Sequence, residues 1–430
     1  MMTAEENDLL CRVEGDAPMG QLMRRHWIPA CMSEEVAEPD GAPVRVRLLG
    51  EDLVAFRDSL GRLGVVDEHC PHRRASLALG RNEECGLRCL YHGWKIDVEG
   101  NVVDRPSELD QGNRAPKPVM QKAYPSREAG GFVWVWMGPP GEMREFEPPA
   151  WAPHPGIQYA IVKMWTDCNW AQVLEGSIDS AHSSTLHSTD MPAAEDVYGS
   201  TATDEAWLRP SNDKAPRLLF EPTPYGFRYA AIRKPIKNAE THQYVRTTLF
   251  IAPFTVLIPP NNRYNLAQML VPIDDVNTMF YWIAWHPDPA KGISQQAWRK
   301  FCAAEVGVDI DRSYRKIRTL ANGYLQDRAA MKRGDWTGIK GIPAQDMAMW
   351  ESMGPITDRS EDQFGSSDLA VAQFRRMMLA AAQKFAQGAP AIGTTEHAPH
   401  VKLASFEGVV PKSADWRTLG VPAEEAAAAK

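Results

Sequence analysis

Two short segments decide how the first part of this chain folds: Cys70-Pro71-His72 and, sixteen residues further on, Cys89-Leu90-Tyr91-His92-Gly93-Trp94. Each segment offers one thiol and one imidazole from a short loop. Two such loops can grip a metal centre from both sides, with thiolates suited to one metal ion and imidazoles to another. The spacing therefore predicts a metal site held by Cys70, His72, Cys89 and His92.

The alternation of cysteine with histidine discriminates between two kinds of metal centre. Structural zinc accepts the same ligands in fours, but zinc fingers usually pair cysteine with cysteine and histidine with histidine. A Rieske [2Fe-2S] cluster has one sulfur-ligated and one nitrogen-ligated iron. We therefore favour a Rieske cluster, with zinc as the alternative. Such a cluster carries electrons and by itself does no chemistry on a substrate.

Short strands with tight turns surround these loops. Alternating or β-rich runs predict strands of a small barrel or sandwich at Val44–Leu48, Leu53–Phe56, Leu63–Val66 and 131–137. Helical spacing in Met19–Trp27 predicts a helical lead-in. Glycines and prolines over residues 138–149 mark a break. At 430 residues two domains are expected, and we assign residues 1–150 to the first and 151–430 to the second.

The second domain reads as mixed α+β. A helix-like segment spans Trp165–Leu186, strands are predicted at Leu249–Phe254 and Met279–His286, and a late helix lies within residues 360–387. The tail after Gly388 lacks periodicity, and we expect it to wrap the surface.

A second chemical signal lies in residues 167–187. They read Asp-Cys-Asn-Trp-Ala-Gln-Val-Leu-Glu-Gly-Ser-Ile-Asp-Ser-Ala-His-Ser-Ser-Thr-Leu-His. This stretch of sequence resembles the mononuclear iron signature of Rieske non-haem iron aromatic-ring oxygenases, and it follows the Cys/His motif at that family's usual distance. The resemblance implies an all-β Rieske domain followed by a catalytic domain of the helix-grip (START-like) type, an antiparallel sheet with helices.

Two imidazoles and one carboxylate on one face of Fe(II) leave the opposite face open for dioxygen and substrate. His182 and His187 are the predicted imidazoles. Five residues on a regular helix lie about 140° apart, so the helix must end or distort between them. By resemblance the carboxylate is Asp346, although spacing alone does not separate it from Glu351 or Asp358.

Asp179 is predicted to connect the two metal centres. The resemblance implies a ring of three chains, or two stacked rings, in which His92 of one chain bonds Asp179 of its neighbour. Asp179 would also bond His182, and a spacing of three residues places both on one helical face. A carboxylate at this position orients a metal-bound imidazole.

The nearest branch of the family is the phthalate dioxygenases, which Leu10–Gly20 and Leu87–Lys95 resemble. This implies cis-dihydroxylation of phthalate at positions 4 and 5. Its two carboxylates require guanidinium forks, and the resemblance points to Arg209 and Arg246. Either arginine could instead form a surface ion pair. Further arginines lie nearby at Arg217, Arg228 and Arg233.

Electrons should come from a partner protein. The chain lacks a G-x-G-x-x-G nucleotide fingerprint, so the resemblance implies a separate NADH-dependent reductase carrying flavin and an iron-sulfur centre. Two alternatives stay open. The first is a Rieske monooxygenase, O-demethylase or dioxygenase acting on another aromatic carboxylate, and the second is an electron-transfer protein with only the Rieske cluster.

Composition excludes other classes of function. A formal net charge of -8 and the lack of a basic run argue against nucleic-acid binding. The N-terminus is acidic, and no apolar stretch of about 18 residues follows, so we expect neither a signal peptide nor a membrane span. Seven cysteines, an odd number, argue against a disulfide framework. We expect a cytoplasmic protein.

Overall fold

The computed structural model describes residues 2–108, 117–152, 156–194, 207–261, 264–396 and 399–420. The chain divides into two compact units, Val13–Phe146 and a larger unit that joins Met1–Arg12 to Glu147–Lys430. Residues 1–12, which the sequence analysis counted with the first domain, thus cluster with the second unit and contain helix α1 (Ala4–Cys11). No helix among the described residues is long and apolar enough to cross a bilayer.

The smaller unit is a set of short antiparallel strands. Its elements are α2 (Pro18–Met23), β1 (Trp27–Met32), β2 (Val44–Leu48), β3 (Glu51–Arg57), β4 (Leu63–Asp67), β5 (Arg81–Glu83), β6 (Gly86–Arg88), β7 (Lys95–Ile96), β8 (Val102–Asp104), β9 (Ser126–Ala129) and β10 (Phe132–Trp136). They form three sheets with the orders β1-β10-β9, β2-β3-β4 and β5-β6-β7-β8. The all-β prediction for this part of the chain is confirmed.

One core of this unit contains both motif cysteines. Cys70 and Cys89 are buried among apolar side chains from the strands and their loops: Val54, Phe56, Val66, Leu77, Leu87, Trp94 and Ile96. Burial of this apolar surface stabilises the unit. It also fixes the base of each motif loop, because the first residue of each loop is a core residue.

The larger unit is built on an antiparallel sheet. Its strands are β11 (Gln158–Thr166), β12 (Arg217–Thr223), β13 (Gly226–Arg233), β14 (His242–Ile251), β15 (Thr255–Asn261), β16 (Tyr264–Pro272), β17 (Thr278–His286) and β18 (Phe406–Pro411). The order is β11-β17-β16-β15-β14-β13-β12, and β18 pairs with β14. Its further helices are α3 (Trp170–Ile178), α4 (Gln295–Phe301), α5 (Arg328–Lys332), α6 (Ile342–Ser352) and α7 (Leu369–Ala386). The predicted fold class, an antiparallel sheet with helices after an all-β unit, is confirmed.

Two expectations about the larger unit were wrong in detail. The helix predicted over Trp165–Leu186 is shorter, because Trp165 still belongs to β11 and helix α3 begins only after Asn169. The Asn169 side chain caps that helix by accepting a hydrogen bond from the backbone N–H of Ala171. The tail after Gly388 does more than wrap the surface, because β18 adds a strand to the sheet.

Candidate metal centres

The two Cys/His loops of the smaller unit have matching backbone geometry. The N–H of Cys70 donates to the carbonyl of Ala75 at 2.9 Å, and the N–H of Cys89 donates to the carbonyl of Trp94 at 2.8 Å. Each loop turns through a left-handed residue at its fifth position, Arg74 with φ 63° and Gly93 with φ 79°. Since a left-handed backbone suits glycine, this explains Gly93 in the motif.

The four predicted ligands differ in exposure. Both cysteines are buried, whereas His72 and His92 are partly exposed, with ring centroids 4.4 Å apart. Burial, with nearby His72 and Arg73, lowers the pKa of His92, which favours the neutral imidazole that binds metal. The Nδ1 atom of His72 is buried and has no hydrogen-bond partner among the described residues. A bound metal ion would be the partner of that nitrogen, so the donor set fits a metal centre.

A second set of ligands converges in the larger unit. One group within the described chain brings three candidate ligand atoms within 4.8 Å of one another, and it consists of His182, His187 and Asp346. Helix α3 ends at Ile178, and His182 begins a short 3-10 turn. The expectation that the helix is interrupted is met, although it ends before His182 and not between the histidines.

The geometry at these three residues fits a bound cation. Oδ1 of Asp346 lies 3.0 Å from Nε2 of His187 and 3.5 Å from Nε2 of His182. His187 and Asp346 are only 3% and 6% exposed. Oδ1 of Asp346 is buried without a hydrogen-bond partner in the described parts of the chain. A buried carboxylate oxygen is costly without a partner, and a metal ion between these atoms would supply one.

Asp179 lies next to His182 for a reason other than the one predicted. Helix α3 has ended, and Asp179 is its C-terminal capping residue, so the two side chains do not share a helical face. Oδ2 of Asp179 is nevertheless 3.3 Å from Nδ1 of His182. Burial opposes both charges, yet the pKa of Asp179 is lowered and that of His182 is raised, because each charged form stabilises the other.

The two competing acids have other contacts. Glu351 is buried, its carboxylate accepting hydrogen bonds from Lys316, from the Tyr324 hydroxyl and, at 2.9 Å, from the backbone N–H of Asp167. Asp358 accepts from the backbone N–H of Ser360 at 3.0 Å. Neither acid lies with His182 and His187 in the ligand group. Tertiary contacts were therefore needed to choose the carboxylate ligand among Asp346, Glu351 and Asp358.

Arg209 is buried close to the histidine turn. It is 3% exposed, and its Nη1 donates to the Ser184 hydroxyl at 2.7 Å. Its Nε has no hydrogen-bond partner among the described residues. Burial and the nearby guanidiniums of Arg246 and Arg233 lower the pKa of Arg209 to about 10. The surface ion pair considered for Arg209 is therefore not what the structure contains.

Arg246 forms a buried ion pair that the sequence did not indicate. Its Nη1 lies 2.7 Å from Oε1 of Glu407, and their side chains are 7% and 2% exposed. Tyr244, two residues earlier on the same strand face, donates to Glu407 and accepts from Arg246 at 3.2 Å. Glu407 comes from β18, in the tail without periodicity, so no sequence pattern could have identified it.

Arg233 also belongs to this group, whereas Arg228 does not. Arg233 is 2% exposed, and its Nη2 donates to the carbonyl of Ser180 at 2.6 Å. Arg228 instead pairs with Glu221 at 2.5 Å near the surface. We use the name arginine cluster for Arg209, Arg233 and Arg246. Arg246 lines a cavity together with His182, His187, Asp346 and the aromatic side chains Trp207, Tyr229, Trp282 and Trp350.

Comparison with known proteins identifies both units. Residues 26–116 match the Rieske [2Fe-2S] domain family, and residues 135–430 match the "LigXa C-terminal domain like" family. The phthalate 4,5-dioxygenase oxygenase subunit of Pseudomonas putida is 60% identical over 97% of this chain and 94% of its own length. The 3-chlorobenzoate-3,4-dioxygenase oxygenase subunit of Comamonas testosteroni is 37% identical over 97% of this chain and 98% of its own.

Solved structures share the fold at lower identity. NdmA of Pseudomonas putida CBB5, solved with caffeine, has a TM-score of 0.61 and 19% identity over 88% of this chain and 96% of its own. The two family matches and the two long alignments cover nearly the whole sequence. The cofactors are accordingly a Rieske [2Fe-2S] cluster and a mononuclear iron, and this chain belongs to the Rieske non-haem iron oxygenases, as an oxygenase subunit.

Proposed function

We propose that this protein is the terminal oxygenase of a phthalate 4,5-dioxygenase. It would add both atoms of dioxygen to positions 4 and 5 of phthalate and give a cis-dihydrodiol, with two electrons from NADH. The observation that carries the substrate assignment is the buried arginine cluster beside the candidate iron ligands. The 60% identical relative from Pseudomonas putida supports the same assignment.

The charge of the arginine cluster suits a dianion. Among the described residues, neither Arg209 nor Arg233 forms an ion pair with a carboxylate, whereas Arg246 pairs with Glu407. Two buried guanidiniums therefore lack a paired carboxylate, and uncompensated buried charges are costly. An aromatic dicarboxylate would neutralise them, with forked hydrogen bonds from the guanidiniums. The aromatic walls of the neighbouring cavity suit the apolar ring.

The metal-binding roles follow from the donor sets. We infer that Cys70, His72, Cys89 and His92 hold the Rieske cluster. We further infer that His182, His187 and Asp346 hold the iron, which, when bound, supplies a site for activating dioxygen with an open coordination face. The three side chains line the cavity that would receive the substrate. The arginine cluster would orient the ring through its carboxylates.

Asp179 is proposed as the route between the two centres. Its carboxylate orients His182 through Nδ1, and a partly exposed His92 of a neighbouring chain would donate to the same carboxylate. This requires a homotrimer or two stacked trimers, which is part of the proposal.

An NADH-dependent reductase with flavin and an iron-sulfur centre is the proposed partner. The protein must then work where NADH is available, so we propose a cytoplasmic location. The electron-transfer alternative does not suit an oxygenase subunit with a mononuclear iron. A monooxygenase or O-demethylase acting on another aromatic acid would use the same metals, and product analysis separates it from the proposal.

The test is a turnover assay with labelled oxygen. Iron-replete protein, a compatible reductase, NADH, labelled dioxygen and phthalate are mixed, and the product is identified by mass spectrometry. Two labelled atoms in a phthalate dihydrodiol are expected. NADH oxidation that gives only peroxide, or that does not depend on phthalate, would overturn the substrate. Arg246→Gln should abolish phthalate-dependent turnover, whereas Arg217→Gln, at an exposed position on β12, is the matched control and should not.

A further inference from the structure

We propose that Gln345 is a positioning residue for the iron site: its side-chain amide, itself held by Asp190, fixes the tautomer and orientation of His187. Gln345 is 2% exposed and directly precedes Asp346 on α6. This inference rests on the proposed role of His187 as an iron ligand. It adds a function for Gln345 and Asp190, to which the sequence analysis gave none.

The hydrogen bonds around Gln345 determine which way its amide points. Nε2 donates to Oδ2 of Asp190 at 2.8 Å and to the carbonyl of Ile339 at 2.9 Å. Both partners are oxygens that only accept, so a flipped amide would place its oxygen against two other acceptors. The orientation with Oε1 toward His187 is therefore the one that satisfies every group.

The same logic extends to the imidazole. Nδ1 of His187 lies 2.7 Å from Oε1 of Gln345. Since Oε1 can only accept, Nδ1 must carry the hydrogen, and in the neutral imidazole that binds metal Nε2 is left with its lone pair. Nε2 lies 3.0 Å from Oδ1 of Asp346. Two acceptor atoms this close repel each other unless a cation lies between them. The hydrogen bonds from Asp190 through Gln345 to His187, which we call the amide relay, therefore prepare His187 and Asp346 to bind iron.

The two histidines have different supports. Nδ1 of His182 faces the carboxylate of Asp179 at 3.3 Å, whereas Nδ1 of His187 faces a neutral amide. Helix α6 therefore supplies Asp346 as a ligand and Gln345 as the support of another ligand from adjacent positions. A buried residue such as Gln345 cannot be replaced there by bulk water.

The experiment measures the Fe(II) dissociation constant of the full chain carrying its Rieske cluster, by anaerobic competition with a chromogenic chelator. Far-ultraviolet circular dichroism and thermal unfolding report folding of each variant, and the visible spectrum of the cluster shows that the smaller unit is intact. Gln345→Leu removes the acceptor, and we expect iron affinity to fall 10–100-fold, as is typical when such a partner of a ligand is lost. Gln345→Asn, shorter by one methylene, should behave similarly and serves if the leucine variant does not fold.

Three further variants separate the outcomes. Asp190→Asn keeps an oxygen that accepts from Gln345. If the amide of Gln345 is what positions His187, the affinity for iron should stay within about threefold of the parent. Gln373→Leu, on helix α7, is the matched control and should leave the affinity unchanged. His187→Ala should lose iron binding.

Each possible result decides a separate point. Affinity within twofold of the parent for both Gln345 variants would overturn the inference, even if their melting temperatures fell, because a merely structural residue would act on stability alone. Asp190→Asn as weak as Gln345→Leu would also overturn it, since charge and not the amide relay would then control the site. If His187→Ala kept its affinity for iron, His187 would not be a ligand, and the assignment on which the inference rests would be wrong.

Discussion

Neutralising Glu407 should make the protein less stable and its affinity for a dianion higher. Glu407→Gln keeps the shape of the side chain and an oxygen that accepts from Tyr244 and Arg246, but it removes the negative charge. Arg246 then loses its buried ion pair with Glu407, and Arg209 and Arg233 already lack an ion-paired carboxylate among the described residues. The two effects have opposite signs because the same uncompensated charge destabilises the empty site and attracts the ligand.

The size of each effect can be estimated from the burial of the pair. Removing one partner of a buried ion pair costs about 3–5 kcal/mol, and the retained hydrogen bonds place Glu407→Gln near the lower end. At roughly 2 °C per kcal/mol for a domain of this size, the apparent melting temperature should fall by about 6 °C. A unit charge about 4 Å away contributes up to about 4 kcal/mol at an effective dielectric of 20. Realising even a third of that corresponds to about tenfold tighter phthalate binding.

The assay is calorimetric titration with phthalate and with benzoate, together with thermal unfolding without ligand. Benzoate, with one carboxylate, should gain less affinity than phthalate. Glu221→Gln is the matched control, because its pair with Arg228 is partly exposed and should be worth less than about 1 kcal/mol. Weaker phthalate binding by Glu407→Gln would refute the reasoning from net charge and would mean that Glu407 mainly orients Arg246.

Three other outcomes are expected. Asp179→Asn should retain both metals, measured by iron content and the cluster spectrum, yet lose product formation, and normal turnover would count against the electron route. Burial alone would raise the pKa of Glu175, but the guanidiniums of Arg359 and Arg375 together outweigh it and the pKa is lowered. Glu175 therefore stabilises the fold fully above its unfolded pKa of about 4.3 and loses this effect as pH falls through the lower folded value, so urea midpoints of Glu175→Gln should vary less between pH 5 and 3 than those of the parent. Lys316→Met leaves the buried Glu351 without its ion-pair partner and should lower the free energy of unfolding in urea by about 3 kcal/mol. Iron affinity should stay unchanged, and a loss of iron would mean that Glu351 takes part in the metal site.

The strands of the fold were readable because local pattern and burial agree. Alternating residues in Val44–Leu48 and the apolar run in 132–136 became β2 and β10, where side chains pack on a core. The length of the helix predicted over Trp165–Leu186 was overestimated, because composition does not show where a strand ends and the following helix begins. Only the capping contact of Asn169 shows the start of α3. The prediction for the tail was wrong for a similar reason, since β18 is held by pairing with β14 and shows no strand pattern of its own.

The candidate metal sites divide in the same way. Cys70, His72, Cys89 and His92 lie in two short motifs whose spacing singled them out. His182 and His187 lie in a stretch that was singled out by its resemblance to the mononuclear iron signature. Asp346, Glu351 and Asp358 were equivalent acids in sequence. Tertiary contacts separate them, because Lys316 and Tyr324 hold Glu351 while Asp346 alone reaches the histidines.

The sequence by itself identified the cysteine and histidine ligands proposed for the metal centres, since ligand type and short-range spacing are carried within a few residues of chain, but it did not identify the carboxylate. Only the tertiary structure decided the charge of the substrate site and the support of His187. Glu407 reaches Arg246 across 161 residues, and Gln345 reaches His187 across 158. Contacts between residues this distant depend on how the sheet and helices pack, because no local periodicity records which buried polar groups will meet.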